Sequence, residues 1–253
     1  MLVKNKVAII TGAASGIGEA TAELYGEHGA SVVVADVDED GGRGTLDAIE
    51  SAGGEATFVS TDVSKAADVQ QAIETAVDEY GGLDVIFNNA GIEGPLSQFE
   101  DYDEEALDTI MDVNLKGVFY GIKYGIQAML ADDGGSIVST SSIAAEAGVL
   151  GRSAYAATKA GVNGMSRSAA MEYAEDGIRV NTVLPGIVET PMHHRAADQK
   201  PPDRITRFDV SEPMPGKGQP EDLANAVLFL GSDLSSRITG VQLPVDGGFL
   251  VQP

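Results

Sequence analysis

The feature that most constrains this chain is its first apolar run, Val7-Ala8-Ile9-Ile10. It passes straight into Thr11-Gly12-Ala13-Ala14-Ser15-Gly16-Ile17-Gly18 and then into the helical pattern Glu19-Ala20-Thr21-Ala22-Glu23-Leu24-Tyr25. A glycine at a strand exit permits a tight turn, and later glycines let the backbone approach a pyrophosphate and let helix and strand pack closely. The helix start offers free N–H groups and the positive end of its dipole to phosphates. Packing alone is the plainer account of such glycines. A strand before and a helix after form the context that favours phosphate binding.

The same strand-then-helix order recurs along the chain. Val32-Val33-Val34, Thr57-Phe58-Val59, Val85-Ile86-Phe87, Ile137-Val138, Val180-Asn181-Thr182-Val183 and Val241-Gln242-Leu243 read as further strands. Most are near-continuous apolar runs, as in a parallel sheet covered on both faces. Between them, apolar residues recur at helical spacing, for example Val69, Ala72, Ile73, Ala76, Val77 and Tyr80. This order predicts an α/β fold, a Rossmann-like doubly wound sheet of about seven parallel strands with helices on both faces. No linker, repeat or low-complexity tract divides residues 1–253, so one domain is expected. The stretch at about 190–220 carries Pro191, Pro201, Pro202, Pro213, Pro215 and Pro220 and no sustained strand. It follows a strand's carboxyl end, which favours a substrate lid over a passive excursion.

Composition narrows the partners. With 16 basic and 39 acidic residues the formal net charge is −23, a field that repels nucleic acid and anionic lipid. A merely acidic cytosolic protein and one adapted to high salt both fit. Clusters such as Asp36-Val37-Asp38-Glu39-Asp40 and Asp101-Tyr102-Asp103-Glu104-Glu105 read as solvated faces, tolerated where salt screens over a few Å, and point to a halophile. No apolar run approaches the roughly 18–20 residues of a membrane span. The chain reaches a strand too soon for a signal peptide, so the cytoplasm is expected. There is no cysteine, which excludes disulfides and thiolate metal sites. Adjacent His193 and His194 on a charged segment read as solvent-facing, so no metal is expected.

Two patterns carry chemistry. Asp36 ends the second strand, where a carboxylate can bond both ribose hydroxyls of an adenosine and repel a 2′-phosphate, which predicts NAD over NADP. An N-cap for the next helix is the alternative. Tyr155 and Lys159 lie four apart at the start of a helix that continues through Met171, placing phenol and ammonium on one face. An adjacent cation stabilises a phenolate and lowers its pKa. A surface Tyr/Lys pair is the bland account.

Together with Gly12-x-x-x-Gly16-x-Gly18, Asp62-Val63, Asn88-Asn89-Ala90-Gly91, Asn114, Ser142, Pro185-Gly186-x-Val188-x-Thr190 and the closing Val245-Asp246-Gly247-Gly248, the pair makes the chain closely resemble the short-chain dehydrogenase/reductase family over essentially its whole length. The resemblance implies hydride transfer between NAD(H) and a small secondary alcohol or ketone. Tyr155 would be the acid–base group, and Lys159 would hold the nicotinamide ribose and lower the tyrosine's pKa. Ser142 would bond the substrate oxygen, with Ser141 its rival, and Asn114 would anchor a water. Gly12, Ser15, Gly16, Ile17 and Gly18 would bind phosphates, and Asp62 and Val63 would flank the adenine. Asn89, Ala90 and Gly91 would line the cofactor groove, and Val188 and Thr190 would meet the carboxamide.

Substrate identity is less determined. Glu93, Gly94, Pro95, Leu96, Ala144, Ala145, Glu146, Val149, Met192 and His193 are expected to line a mostly apolar pocket suited to a small cyclic or aryl ketone, with Glu93 and Glu146 leaving a polyol open. Glucose 1-dehydrogenase-like activity is an alternative. So is 3-oxoacyl reduction on an acyl carrier protein, opposed by Asp133 and Asp176 at positions where relatives use arginines to dock the carrier. A non-catalytic NAD-binding sensor on the same fold is a third. The resemblance and the apolar tail Phe249-Leu250-Val251 imply a homotetramer.

Overall fold

The computed structural model describes residues 1–202 and 212–252. Strands β1 (Val7–Thr11), β2 (Ser31–Asp36), β3 (Glu55–Ser60), β4 (Val85–Asn88), β5 (Gly135–Thr140), β6 (Ile178–Pro185) and β7 (Gln242–Val245) form one sheet in the order β3-β2-β1-β4-β5-β6-β7. Every neighbouring pair is parallel. Each of the seven runs expected from sequence overlaps one of these strands.

Strand alternation explains why the runs are apolar throughout. Ile9, Val33, Ile86, Ile137 and Val180 point to one face, where they pack on Ile73 of α3 (Ala66–Tyr80), on Ile122 of α5 (Gly117–Met129), which follows the short α4 (Glu104–Met111), and on Val162 of α6 (Ser153–Glu172). Ile10, Val34, Phe87, Val138 and Val183 point to the other. There they meet Tyr25 of α1 (Gly16–Glu27), Ile49 of α2 (Glu39–Ser51) and Val227 of α8 (Pro220–Gly231). Each such side chain, fully buried, contributes about 1.5–3 kcal/mol. The Tyr25 hydroxyl donates to the Val227 carbonyl at 3.0 Å and ties α1 to α8.

Strand order reverses between β1 and β4, so the loops leaving these two strands diverge and open a crevice at the sheet's carboxyl edge. The stretch after β6 contains α7 (Pro191–Ala197), a helix the proline count concealed. Thr190 caps it by accepting from the His193 N–H, and Pro191 occupies its first turn. The base of the stretch is closed by a parallel bridge between Val188 and Gly218. Residues 203–211 of the expected lid lie outside the described residues. No helix among the described residues is long and apolar enough to cross a membrane.

Candidate active site

The crevice opens into a cavity of about 980 Å³. Of the residues expected there, Gly12, Ser15, Gly16, Ile17, Asp36, Asp62, Val63, Asn89, Ala90, Gly91, Ser142, Tyr155, Lys159, Val188 and Thr190 all line it. Gly18 and Asn114 stand behind the wall.

Thr11 and Asn89 bind the two diverging loops to each other. The Thr11 hydroxyl accepts from the Asn89 and Ala90 N–H groups at 2.9 and 3.1 Å, and the Asn89 amide donates to the Thr11 and Gly12 carbonyls at 3.2 and 3.3 Å. Gly12 has φ +66°, and a Cβ there would lie 2.8 Å from the Ala90 Cα. A Cβ on Gly18 would lie 2.0 Å from the Gly12 carbonyl oxygen, so Gly18 serves the helix-on-loop packing. Ser15, which precedes α1, makes no side-chain cap. The first-turn N–H groups of α1 are therefore left for another acceptor, the environment a phosphate needs.

Asp36 is not the cap of α2. Asp38 is, accepting from the Gly41 N–H at 3.1 Å. The Asp36 carboxylate instead accepts from the Ala14 N–H at 2.9 Å and the Asp38 N–H at 3.0 Å, which aims it at the rim of the phosphate loop. Asp62 accepts from the Ser64 hydroxyl at 2.6 Å and faces Lys65 at 3.2 Å, contacts that hold its carboxyl below the usual range.

At the far end of the cavity three side chains converge. Ser142 follows β5 and lies near enough to the Tyr155 phenol to oppose the rise in its pKa, and its hydroxyl accepts from the Ala144 N–H at 3.1 Å. Its rival Ser141 spends its hydroxyl on the Lys159 carbonyl at 3.1 Å. Lys159 is buried, and its Nζ donates to the Thr140 carbonyl at 2.8 Å. Asn114 sits in a π-turn (Asp112–Lys116), and its side chain is committed to Ile92, accepting at 2.8 Å and donating at 2.7 Å. π-turns of this kind concentrate at functional sites.

The expected lowering of the tyrosine pKa is absent here. Burial pushes the Tyr155 phenol up to about 12, against the opposing influence of Ser142. Burial also pulls Lys159 down to about 8. The Lys159 ammonium lies 5.5 Å from the ring centroid, and burial of the phenol is the largest influence on it.

The remaining walls are largely apolar. Glu93, Leu96, Ala144, Val149, Met192 and His193 line the cavity as expected, whereas Gly94, Pro95, Ala145 and Glu146 do not. Glu146 accepts from the Asn163 amide at 3.0 Å, which turns its carboxylate to α6. Arg152 and Gln199 were not legible as cavity residues. Arg152 pairs with Glu93 at 3.2 Å and donates to the Gly94 carbonyl at 2.9 Å, and Gln199 accepts from the Leu96 N–H at 2.8 Å. His194 pairs with Glu189, which also binds Lys217 at 2.8 Å. Asp133 and Asp176 adjoin two turns at the amino edge of the sheet, the end opposite the cavity, so their charge does not bear on its mouth.

The chain belongs to the short-chain dehydrogenase/reductase family, whose members use a nicotinamide cofactor, and its chemistry is oxidoreduction at a CH–OH group. A family model described as Enoyl-(Acyl carrier protein) reductase matches residues 12–250. Cyclohexanol dehydrogenase of Acinetobacter sp. (strain SE19) is 42% identical over 250 residues, 97% of this chain and 95% of the relative. Cis-4-hydroxycyclohexanecarboxylate dehydrogenase of Sinomonas cyclohexanicum is 41% identical over 244 residues, 96% of each chain. The crystal structure of levodione reductase superposes with a TM-score of 0.92 at 33% identity, covering 97% of both chains.

Proposed function

We propose that this chain is an NAD(H)-dependent dehydrogenase of small cyclic secondary alcohols, with Tyr155 as its acid–base group. One observation carries the proposal: Tyr155, Ser142 and Lys159 line the same cavity as the glycine loop and Asp36. A dinucleotide fits that crevice, because the uncapped start of α1 and the side-chain-free approach at Gly12 suit a pyrophosphate. Asp36 favours a free ribose 2′-hydroxyl and repels a 2′-phosphate. Asp62 and Val63 border the adenine end, and Val188 and Thr190 the carboxamide end.

The bound cofactor supplies or accepts the hydride. In alcohol oxidation Ser142 donates to the substrate oxygen and Tyr155 takes its proton; in ketone reduction Tyr155 returns it. Lys159 remains largely protonated at neutral pH and, with the positive charge of the oxidised cofactor, draws the phenol down from the value burial imposes. It also holds the nicotinamide ribose. Asn114, its amide spent on Ile92, positions that loop and offers a bridging water its backbone.

The apolar walls and the relatives named for ring alcohols support a cyclic substrate over glucose or an acyl carrier. The intact Ser142–Tyr155–Lys159 set argues against a non-catalytic sensor. The same proposal includes a cytoplasmic homotetramer adapted to high salt. Its support is the apolar tail, with Val251 84% exposed, and acidic clusters that are solvent-facing along 37–40 and 103–105. The test is a panel of ring alcohols followed at the NADH absorbance in high salt. Turnover with NAD exceeding that with NADP supports the proposal. Tight NADH binding without turnover refutes it.

A further inference from the structure

The cavity holds one charged pair that the hydride-transfer chemistry does not use. Glu93 follows the cofactor-groove segment 89–91, and Arg152 lies immediately before α6, three residues from Tyr155. Both line the cavity, and they face each other at 3.2 Å. Arg152 is almost fully buried, at 8% exposure. The Glu93 oxygen that faces Arg152, Oε2, is buried and meets the guanidinium as an ion pair without a well-aligned hydrogen bond among the described residues, while 26% of the Glu93 side chain stays exposed. Placing such a pair in an apolar wall is costly. Packing needs neither charge.

The two groups differ in what they can still bind. The Arg152 guanidinium is already engaged: Nη1 donates to the Gly94 carbonyl at 2.9 Å and to Gln199 Oε1 at 3.4 Å, and Nη2 faces Glu93. An anion approaching the pair meets the Glu93 charge and a guanidinium already engaged, and Arg195 is a second cation on the cavity wall. An ionised carboxylate accepts hydrogen bonds and cannot donate. Its natural complement is therefore a neutral donor. Tyr155 lines the same cavity as the pair, and its ionisation feels both charges.

We infer that Glu93, held in place by Arg152, is a specificity-determining residue that accepts a hydrogen bond from a second hydroxyl on the substrate. The preferred substrates are then cyclic diols and hydroxyketones, ahead of ring alcohols without a second donor and ahead of ring carboxylates. This rests on the dehydrogenase function proposed above and narrows its substrate class.

The experiment compares kcat/KM for cyclohexanol, the 1,2-, 1,3- and 1,4-cyclohexanediols and 4-hydroxycyclohexanecarboxylate. It uses the wild type, Glu93→Gln, and Glu93→Leu combined with Arg152→Met. The double change removes both charges, so neither is stranded. In the wild type at least one diol exceeds cyclohexanol by about 10- to 100-fold, the range of one hydrogen bond to a charged group. The advantage lies in KM, and the carboxylate ranks below the diols. Glu93→Gln keeps an acceptor oxygen and retains part of the diol advantage, while the double variant brings the diol-to-cyclohexanol ratio to about one. A wild-type ratio near one, a ratio unchanged in the double variant, or a carboxylate that outranks the diols overturns the inference and leaves the dehydrogenase intact. Failure to oxidise any ring alcohol overturns the function beneath it, and this inference with it.

Discussion

Lys159 Nζ lies 5.5 Å from the centroid of the Tyr155 ring and is fastened at 2.8 Å to the carbonyl of Thr140, the last residue of β5. One ammonium thus joins the helix that carries the phenol to the strand that delivers Ser142.

That burial sets a pH dependence. Lys159 falls from 10.5 to about 8 on folding, so between those values the unfolded chain holds a proton that the folded chain has released. Stability of the free enzyme therefore rises with pH across that window. Tyr155, raised from 10.0 to about 12, works in the opposite direction: above about pH 10 the unfolded phenol ionises first and stability is lost. Urea unfolding of the wild type and Lys159→Met should diverge in slope between about pH 8 and 10, by up to about 3 kcal/mol in total. Parallel curves would contradict the burial account.

The proposed function makes cofactor choice turn on Asp36. Asp36→Asn keeps one of the two oxygens that accept separately from the Ala14 and Asp38 N–H groups and removes the charge proposed to oppose a 2′-phosphate. The NADP-to-NAD ratio of kcat/KM should rise about tenfold, the effect of ~1.4 kcal/mol from one partly screened charge contact. An unchanged ratio would move cofactor selection elsewhere.

Two glycines on neighbouring helices should respond oppositely to alanine. At Gly18 a Cβ would meet the Gly12 carbonyl oxygen at 2.0 Å, so Gly18→Ala should cost about 1–3 kcal/mol by overpacking and weaken NADH binding. At Gly44, within α2, nothing lies within 4 Å. Gly44→Ala should stabilise by about 0.5–1 kcal/mol through helix propensity. Thermal unfolding with and without NADH reads both.

Salt should matter because 39 acidic residues face only 16 basic ones and the acidic clusters lie on the surface. Self-repulsion is screened within about 3 Å at 1 M salt and only within about 30 Å at 0.01 M. Dialysis into dilute buffer should diminish both activity and helical circular dichroism. Full retention of both would show the surface charge to be neutral for folding.

The sheet was readable because parallel strands covered on both faces leave continuous apolar runs, and each run found its strand. The crevice beside the glycine loop was readable for a related reason: a strand, a glycine turn and a helix are contiguous in the chain. The substrate side was not. Glu93 and Arg152 meet across 59 positions (152 − 93), and no local pattern marks such a pair. Glu146 was expected in the pocket by proximity to Ser142, yet the Asn163 amide draws it away. The helix α7 had a usable signal in Thr190-Pro191, a cap followed by a first-turn proline, which the surrounding prolines obscured. Spacing brings Lys159 to the phenol, but the desolvation that raises Tyr155 is set by the folded environment.

The central claim is that Tyr155 transfers the proton in this reaction, and Tyr155→Phe tests it most directly. The variant keeps the ring and loses the hydroxyl, so NADH binding should persist while kcat for a ring alcohol falls by about 10²–10⁴, the usual worth of a positioned acid–base group. Turnover above roughly a tenth of wild type, with the fold and NADH affinity intact, would contradict it.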